Sequence, residues 1–345
     1  MRVGSARAAA EQWVARYARP EAGYRGAYFS GSTVGLPDDA ELEPSSDVDV
    51  FVVTAEDDPP AKPGKLRHQG ALLEVSYLPR REIASADTVL ASYHLAGNFR
   101  TDAIIDDPTG ELRRLHAHVA HHFAARPWVR RRCQDARHRI ESRLAALDTS
   151  APFHEQVLSW LFPTGVTCHV LLVAALRNPT VRVRYVAARE VLTAYGHPDL
   201  YPELLRLLGC SHLSARRVEH HLSELTATFD AAARVARTPF FFSSDITPAA
   251  RPIAIDGSRR LIDAGDHHAA VFWIIATFAR CHTILAADAP ELHEARAPAF
   301  RAAVADLGID SAHDLVQRCD EVIRFLPRLW RTTEEILRRN PGITD

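Results

Sequence analysis

Asp47 and Asp49 stand two residues apart at the start of the apolar run Val48-Asp49-Val50-Phe51-Val52-Val53. Charges that enter a buried strand are costly unless they are paired or bind a metal. Residues two apart in a strand point to one face. The two carboxylates therefore project side by side, at the edge of a sheet and not into its core. Two hard oxygen ligands on one face suit Mg²⁺, which takes one or two carboxylates and completes its shell with water and substrate phosphates. A third carboxylate is expected on a neighbouring strand, and Glu74 fits, sharing a face with Leu72 and Ser76 in Leu72-Leu73-Glu74-Val75-Ser76. Upstream, Gly31-Ser32 follows another short apolar stretch. Gly31 lets the backbone approach a ligand closely, and the Ser32 hydroxyl with nearby N–H groups can hold a terminal phosphate. Together these residues make a metal-and-phosphate clamp suited to in-line attack on a nucleotide phosphorus.

The elements that must position them can be read around that core. Residues 8–18 carry an amphipathic helical pattern with Trp13, Val14 and Tyr17 on one side. Residues 27–29 form a short strand ending at Gly31, and 35–46, rich in Gly, Pro, Asp and Ser, form a loop. The strand 48–54 follows, then a polar hairpin-like connection through Pro59-Pro60 and Pro63-Gly64, then a strand over 71–78. A helix is expected over about 82–95 and a short strand over 102–106, closed by Pro108-Thr109-Gly110. From Glu111 onward the texture changes to long helices separated by Pro or Gly. The expectation is an α+β chain, with a small mixed-sheet domain over residues 1–110 and an all-helical domain over 111–345.

The run Ser30-Gly31-Ser32-Thr33-Val34-Gly35, a loop, then Ser46-Asp47-Val48-Asp49-Val50 resembles the Gly-Ser…Asp-x-Asp signature of the DNA polymerase β-like nucleotidyltransferase superfamily. Within it, the layout is similar to the small-molecule (antibiotic) nucleotidyltransferases of the kanamycin and streptomycin type. The motif covers at most the first hundred residues, and the helical part matches in architecture only. The resemblance implies that Gly31 and Ser32 contact nucleotide phosphates and that Asp47 and Asp49 bind Mg²⁺. It implies Glu74 as third carboxylate, ligating metal or acting as general base on the acceptor. The activity implied is transfer of AMP from ATP to a hydroxyl of a small molecule, with the helical domain binding that acceptor and pyrophosphate released. Two alternatives stay open: modification of a protein or tRNA, as in toxin–antitoxin modules, and a catalytically inactive nucleotide-binding protein. Related enzymes often dimerise, which leaves a homodimer open. The loop between Ser32 and Asp47 is a few residues longer than the pattern and carries Asp38, Asp39, Glu41 and Glu43.

Bulk properties narrow the partners. A net charge of −2 over 345 residues gives no basic field for nucleic acid or an anionic membrane. Arginine is plentiful, whereas lysine occurs only at Lys62 and Lys65. The five cysteines are scattered with no Cys-x-x-Cys pair, as expected of reduced thiols in a cytoplasm. The N-terminus lacks an apolar signal region, and residues 270–279 stop short of the ~20 residues of a membrane span. His118 and His122 lie one helical turn apart and read as a solvated face; the Phe240-Phe241-Phe242 run reads as a satellite core or a pocket wall.

Overall fold

The computed structural model describes all 345 residues and is α+β, with twelve helices and one five-stranded mixed sheet. By contacts the chain divides into two compact units, Met1–Arg132 with Gly342–Asp345, and Cys133–Pro341. The division falls inside a helix rather than at the change of texture after Gly110.

The first unit begins with α1 (Val3–Trp13), which continues through a wider π turn to Ala18. The helix starts earlier than the apolar pattern suggests because a loop satisfies its first donors: Val3 N–H bonds Ala40 O and Gly4 N–H bonds Asp38 O, both at 2.9 Å. Strands β1 (Tyr24–Ser30), β2 (Val48–Thr54), β3 (Gly64–His68), β4 (Ala71–Pro79) and β5 (Ile104–Asp106) pair in the order β3-β4-β2-β1-β5. β2 runs parallel to β4; the other three pairings are antiparallel. β2 is thus an interior strand, and its aspartates stand at its end, not along an outer edge.

One sheet face packs on α1. Ala6, Ala9, Ala10, Trp13 and Val14 meet Ala27, Phe29, Val48, Val50, Val52, Leu73 and Val75 in one buried cluster. Each large side chain buried there contributes about 1.5–3 kcal/mol. A one-residue slip of β2 would exchange these valines for the aspartates, so the apolar face fixes the register that puts the charges on the other face. That other face carries Tyr28 stacked on Phe51, ring centroids 5.5 Å apart, and Phe99 at 4.8 Å from Tyr28.

β3 lies where the sequence suggests a polar connection. It returns into β4 through Gln69 and Gly70, which both have positive φ, 47° and 83°, the twist that suits a two-residue hairpin. Helix α2 (Ala86–Ala91) is shorter than the span 82–95 expected from sequence, because Ser92 turns extended and its Oγ shares a 3.0 Å hydrogen bond with His94 Nδ1. Helices α3 (Glu111–His122) and α4 (Arg126–Ala145) follow. The C-terminal residues return to this unit, with Arg126 N–H bonding Thr344 O at 2.8 Å.

The second unit is helical: α5 (Phe153–Ala174), α6 (Arg184–Ala194), α7 (Leu200–Leu208), α8 (Ala215–Val235), α9 (Gly257–Asp263), α10 (His267–Asp288), α11 (Pro290–Ala305) and α12 (Ala312–Arg339). α5 and α10 are long and apolar enough to cross a bilayer, but 78% and 94% of their apolar stretches are buried inside the protein, as core helices are. Pro163, Pro298 and Pro327 sit within helices and do not end them. All five cysteines are buried and none is in a disulfide.

Candidate functional site

Strand pairing sets four residues in one row across the sheet. Ser30 on β1 lies opposite Asp49 on β2, Asp49 opposite Glu74 on β4, and Glu74 opposite Lys65 on β3. Asp47, two residues before Asp49, joins the row from the same side. Asp47, Asp49 and Glu74 each bring one carboxylate oxygen to within 4.8 Å of the other two. The three carboxylates expected from the sequence are therefore brought together by the sheet.

Lysine completes the cluster. Lys65 Nζ lies 3.2 Å from Asp47 Oδ2 and bonds Glu74 Oε2, while Lys62 Nζ donates to Glu74 Oε1 at 2.8 Å. The Lys65 side chain is only 6% exposed. Sequence reasoning passed over both lysines, yet a signal existed: they are the only two in a chain with 41 basic residues.

The electrostatics are uneven. Burial pushes the Asp49 carboxyl well above the ordinary range, and the neighbouring charges of Asp47 and Glu74 push it further. Asp47 is also raised by burial, against the pull of Lys65. For Glu74 burial acts in the same direction, but the Lys65 and Lys62 ammoniums outweigh it and bring the carboxyl down to about 2. A carboxylate held so low is a weak proton acceptor. Of the two roles the resemblance offers Glu74, metal ligand or general base, this setting counts against general base.

Gly31 begins the turn after β1 at φ 71°, the left-handed region that favours glycine. A Cβ there would run into the Asp49 carboxylate, reaching 2.7 Å from its Cγ. The missing side chain thus makes room for Asp49. Ser32 is exposed in the same short turn, Gly31–Thr33. Two further residues hold this corner. Arg7 of α1 donates to the carbonyls of Thr33, Val34 and Leu36 and pairs with Asp38 at 2.6 Å. Ser30 Oγ donates to Asn98 Oδ1 at 2.7 Å. Asp38, one of the acids of the lengthened loop, is thereby given a structural partner.

Three converging, half-buried carboxylates, one of them beside two like charges, are a donor set that fits a hard divalent cation. Elsewhere the first unit has a cavity of about 330 Å³ lined by Arg25, Val53, Arg80, Arg114 and His118, but it includes none of the carboxylates, and Arg80 is committed to Glu111 at 2.7 and 2.8 Å. His118 and His122 have ring centroids 4.8 Å apart on α3, with His118 exposed. In the Phe240-Phe241-Phe242 run, Phe242 is buried and Phe241 is 78% exposed.

Comparison of the chain with models of known protein families, with curated proteins and with solved structures finds no match in any of the three.

Proposed function

We propose that the chain is a Mg²⁺-dependent nucleotidyltransferase that moves AMP from ATP to a hydroxyl of a small molecule. The observation that carries this reading is the alignment of Asp47, Asp49 and Glu74 on two parallel strands beside the left-handed turn at Gly31. Asp47 and Asp49 would hold the ion, which when bound neutralises phosphate charge and orients the α-phosphorus. The backbone N–H groups and hydroxyl of the Gly31–Thr33 turn bind the triphosphate, and Arg7 keeps that turn in place. Glu74 keeps two ammoniums beside the phosphates. The acceptor hydroxyl then attacks the α-phosphorus in line and gives up its proton to solvent water, while the bond to the bridging oxygen breaks and pyrophosphate leaves. Acceptor recognition falls to the helical unit in this reading.

The test is thermal stabilisation by a non-hydrolysable ATP analogue, with and without Mg²⁺, in the wild type and in Asp47→Asn and Asp49→Asn. The expected result is a shift that requires both the ion and both aspartates. A shift that persists without metal and in both variants would leave a nucleotide-binding protein without this chemistry. No shift with the analogue of ATP, GTP, CTP or UTP would remove the reading altogether.

A further inference from the structure

Resting on that reading, we propose that Lys65 supplies the second cation of the site. The chain takes one divalent ion, on Asp47 and Asp49, and Glu74 is a positioning residue that holds the Lys65 ammonium where another ion would otherwise sit.

Sites that act on phosphates commonly place two cations about 3.5–4 Å apart between shared carboxylates. Here the Lys65 Nζ already occupies such a shared position, bonded to Glu74 Oε2 and 3.2 Å from Asp47 Oδ2. Both Glu74 oxygens already meet an ammonium, because Lys62 donates to Oε1. Without nucleotide, three ionised carboxylates facing two ammoniums leave one net negative charge, which a single divalent ion more than cancels.

The choice of residue points the same way. An ammonium is a compact point charge with three donors around one atom, whereas a guanidinium is a planar fork. Only the former resembles a small metal ion. This chain uses arginine for every other basic side chain and keeps lysine for these two positions. The placement is also built in: Lys65 lies on β3 directly opposite Glu74, in the row that continues through Asp49 to Ser30. With the side chain 6% exposed, it is a fixed part of the site and not a surface charge passing by.

The experiment counts Mn²⁺ bound per chain, with the metal alone, by the electron paramagnetic resonance of the free ion. Wild type and Lys65→Arg are expected to bind one ion, and Lys65→Met two, since removing the ammonium opens the Asp47–Glu74 position. Two ions in the wild type, or one in a folded Lys65→Met, would overturn the role of Lys65 while leaving the metal-dependent reading intact. No ion in the wild type would remove that reading itself, and this inference with it. A second measurement needs no variant. Amine acylation read by mass spectrometry reports only Lys62, Lys65 and the N-terminus in this chain. Lys65 is expected to stay protected with and without Mn²⁺; a tenfold rise in its labelling on adding the ion would mean that metal displaces it, and would overturn the proposal.

Discussion

Replacing Lys65 by methionine removes the ammonium from a half-buried carboxylate, and its cost can be worked from the site. Glu74 is held at about 2 where a glutamate ordinarily sits at 4.5. At 1.36 kcal/mol per pH decade, the favourable surroundings of the charged form amount to about 3 kcal/mol, to order of magnitude. Lys62 remains on Oε1, so the expected loss in Lys65→Met is about 2 kcal/mol at pH 7, below the ~3–5 kcal/mol seen when a buried pair loses its whole partner. Hydrogen exchange of β2 and β4 amides reads this directly, as a fall in protection of roughly 30-fold. The pH dependence has a definite sign. The folded pKa of Glu74 is depressed, so its contribution is present above about 4.5 and is lost as pH falls through about 2. The gap between wild type and variant is therefore full at pH 7 and closes progressively below pH 4.5. A gap of equal size at pH 3 and pH 7, or protection unchanged at pH 7, would refute the electrostatic reasoning.

Asp49 has the opposite sign. Its folded pKa is raised by burial, Asp47 and Glu74, so the stability it allows is full below its ordinary 3.8 and is lost as pH rises through the raised value. Asp49→Asn should therefore stabilise the first unit at pH 7 while abolishing any Mg²⁺-dependent thermal shift, which parallel melting curves would show. Gly31→Ala should cost about 1–2 kcal/mol for its left-handed backbone, and its Cβ should push the Asp49 carboxylate aside, lowering nucleotide-analogue affinity in calorimetric titration. Arg7→Ala should lower protection of the 33–38 backbone without changing that of β4, because its hydrogen bonds end on the turn and on Asp38. In the helical unit, burial lowers His154 to about 4 and His282 to about 3, so their contribution is full above pH 6.5 and is lost as pH falls through those values; protection of α10 should decline across that window.

What the sequence made legible followed from strong local patterns. Val48, Val50 and Val52 alternate with Asp49 and Phe51, which is enough to name the strand and the face its charges take. The same alternation around Glu74 placed it on the aspartates' side, and strand pairing sets it opposite Asp49. β3 was hidden because its residues, Gly64-Lys65-Leu66-Arg67-His68, carry little apolar signal, and its pairing depends on β4 and a hairpin whose Gln69 takes a backbone conformation that few residues other than glycine adopt. With β3 hidden, Lys65 had no strand to stand on, and nothing in the proline-bearing stretch set it beside Glu74. Arg7 was illegible for a different reason: its partners are carbonyls and an aspartate 26 to 31 residues away, set by tertiary contact and by no periodicity. The short α2 reflects a local competition, a Ser92–His94 hydrogen bond that ends a helix the apolar pattern would have continued.

The lysine clamp has a consequence for how such a chain is made. Proteins whose ligands repel one another until a metal arrives depend on that metal to fold. Here the counter-charges are encoded in the polypeptide, twelve and nine positions upstream of the glutamate they neutralise, Lys65 on β3 and Lys62 just before it. In the proposed reading, synthesis and metal supply would then be separate affairs: a chain that carries its own counter-charges would fold before it meets the ion and take it up afterwards.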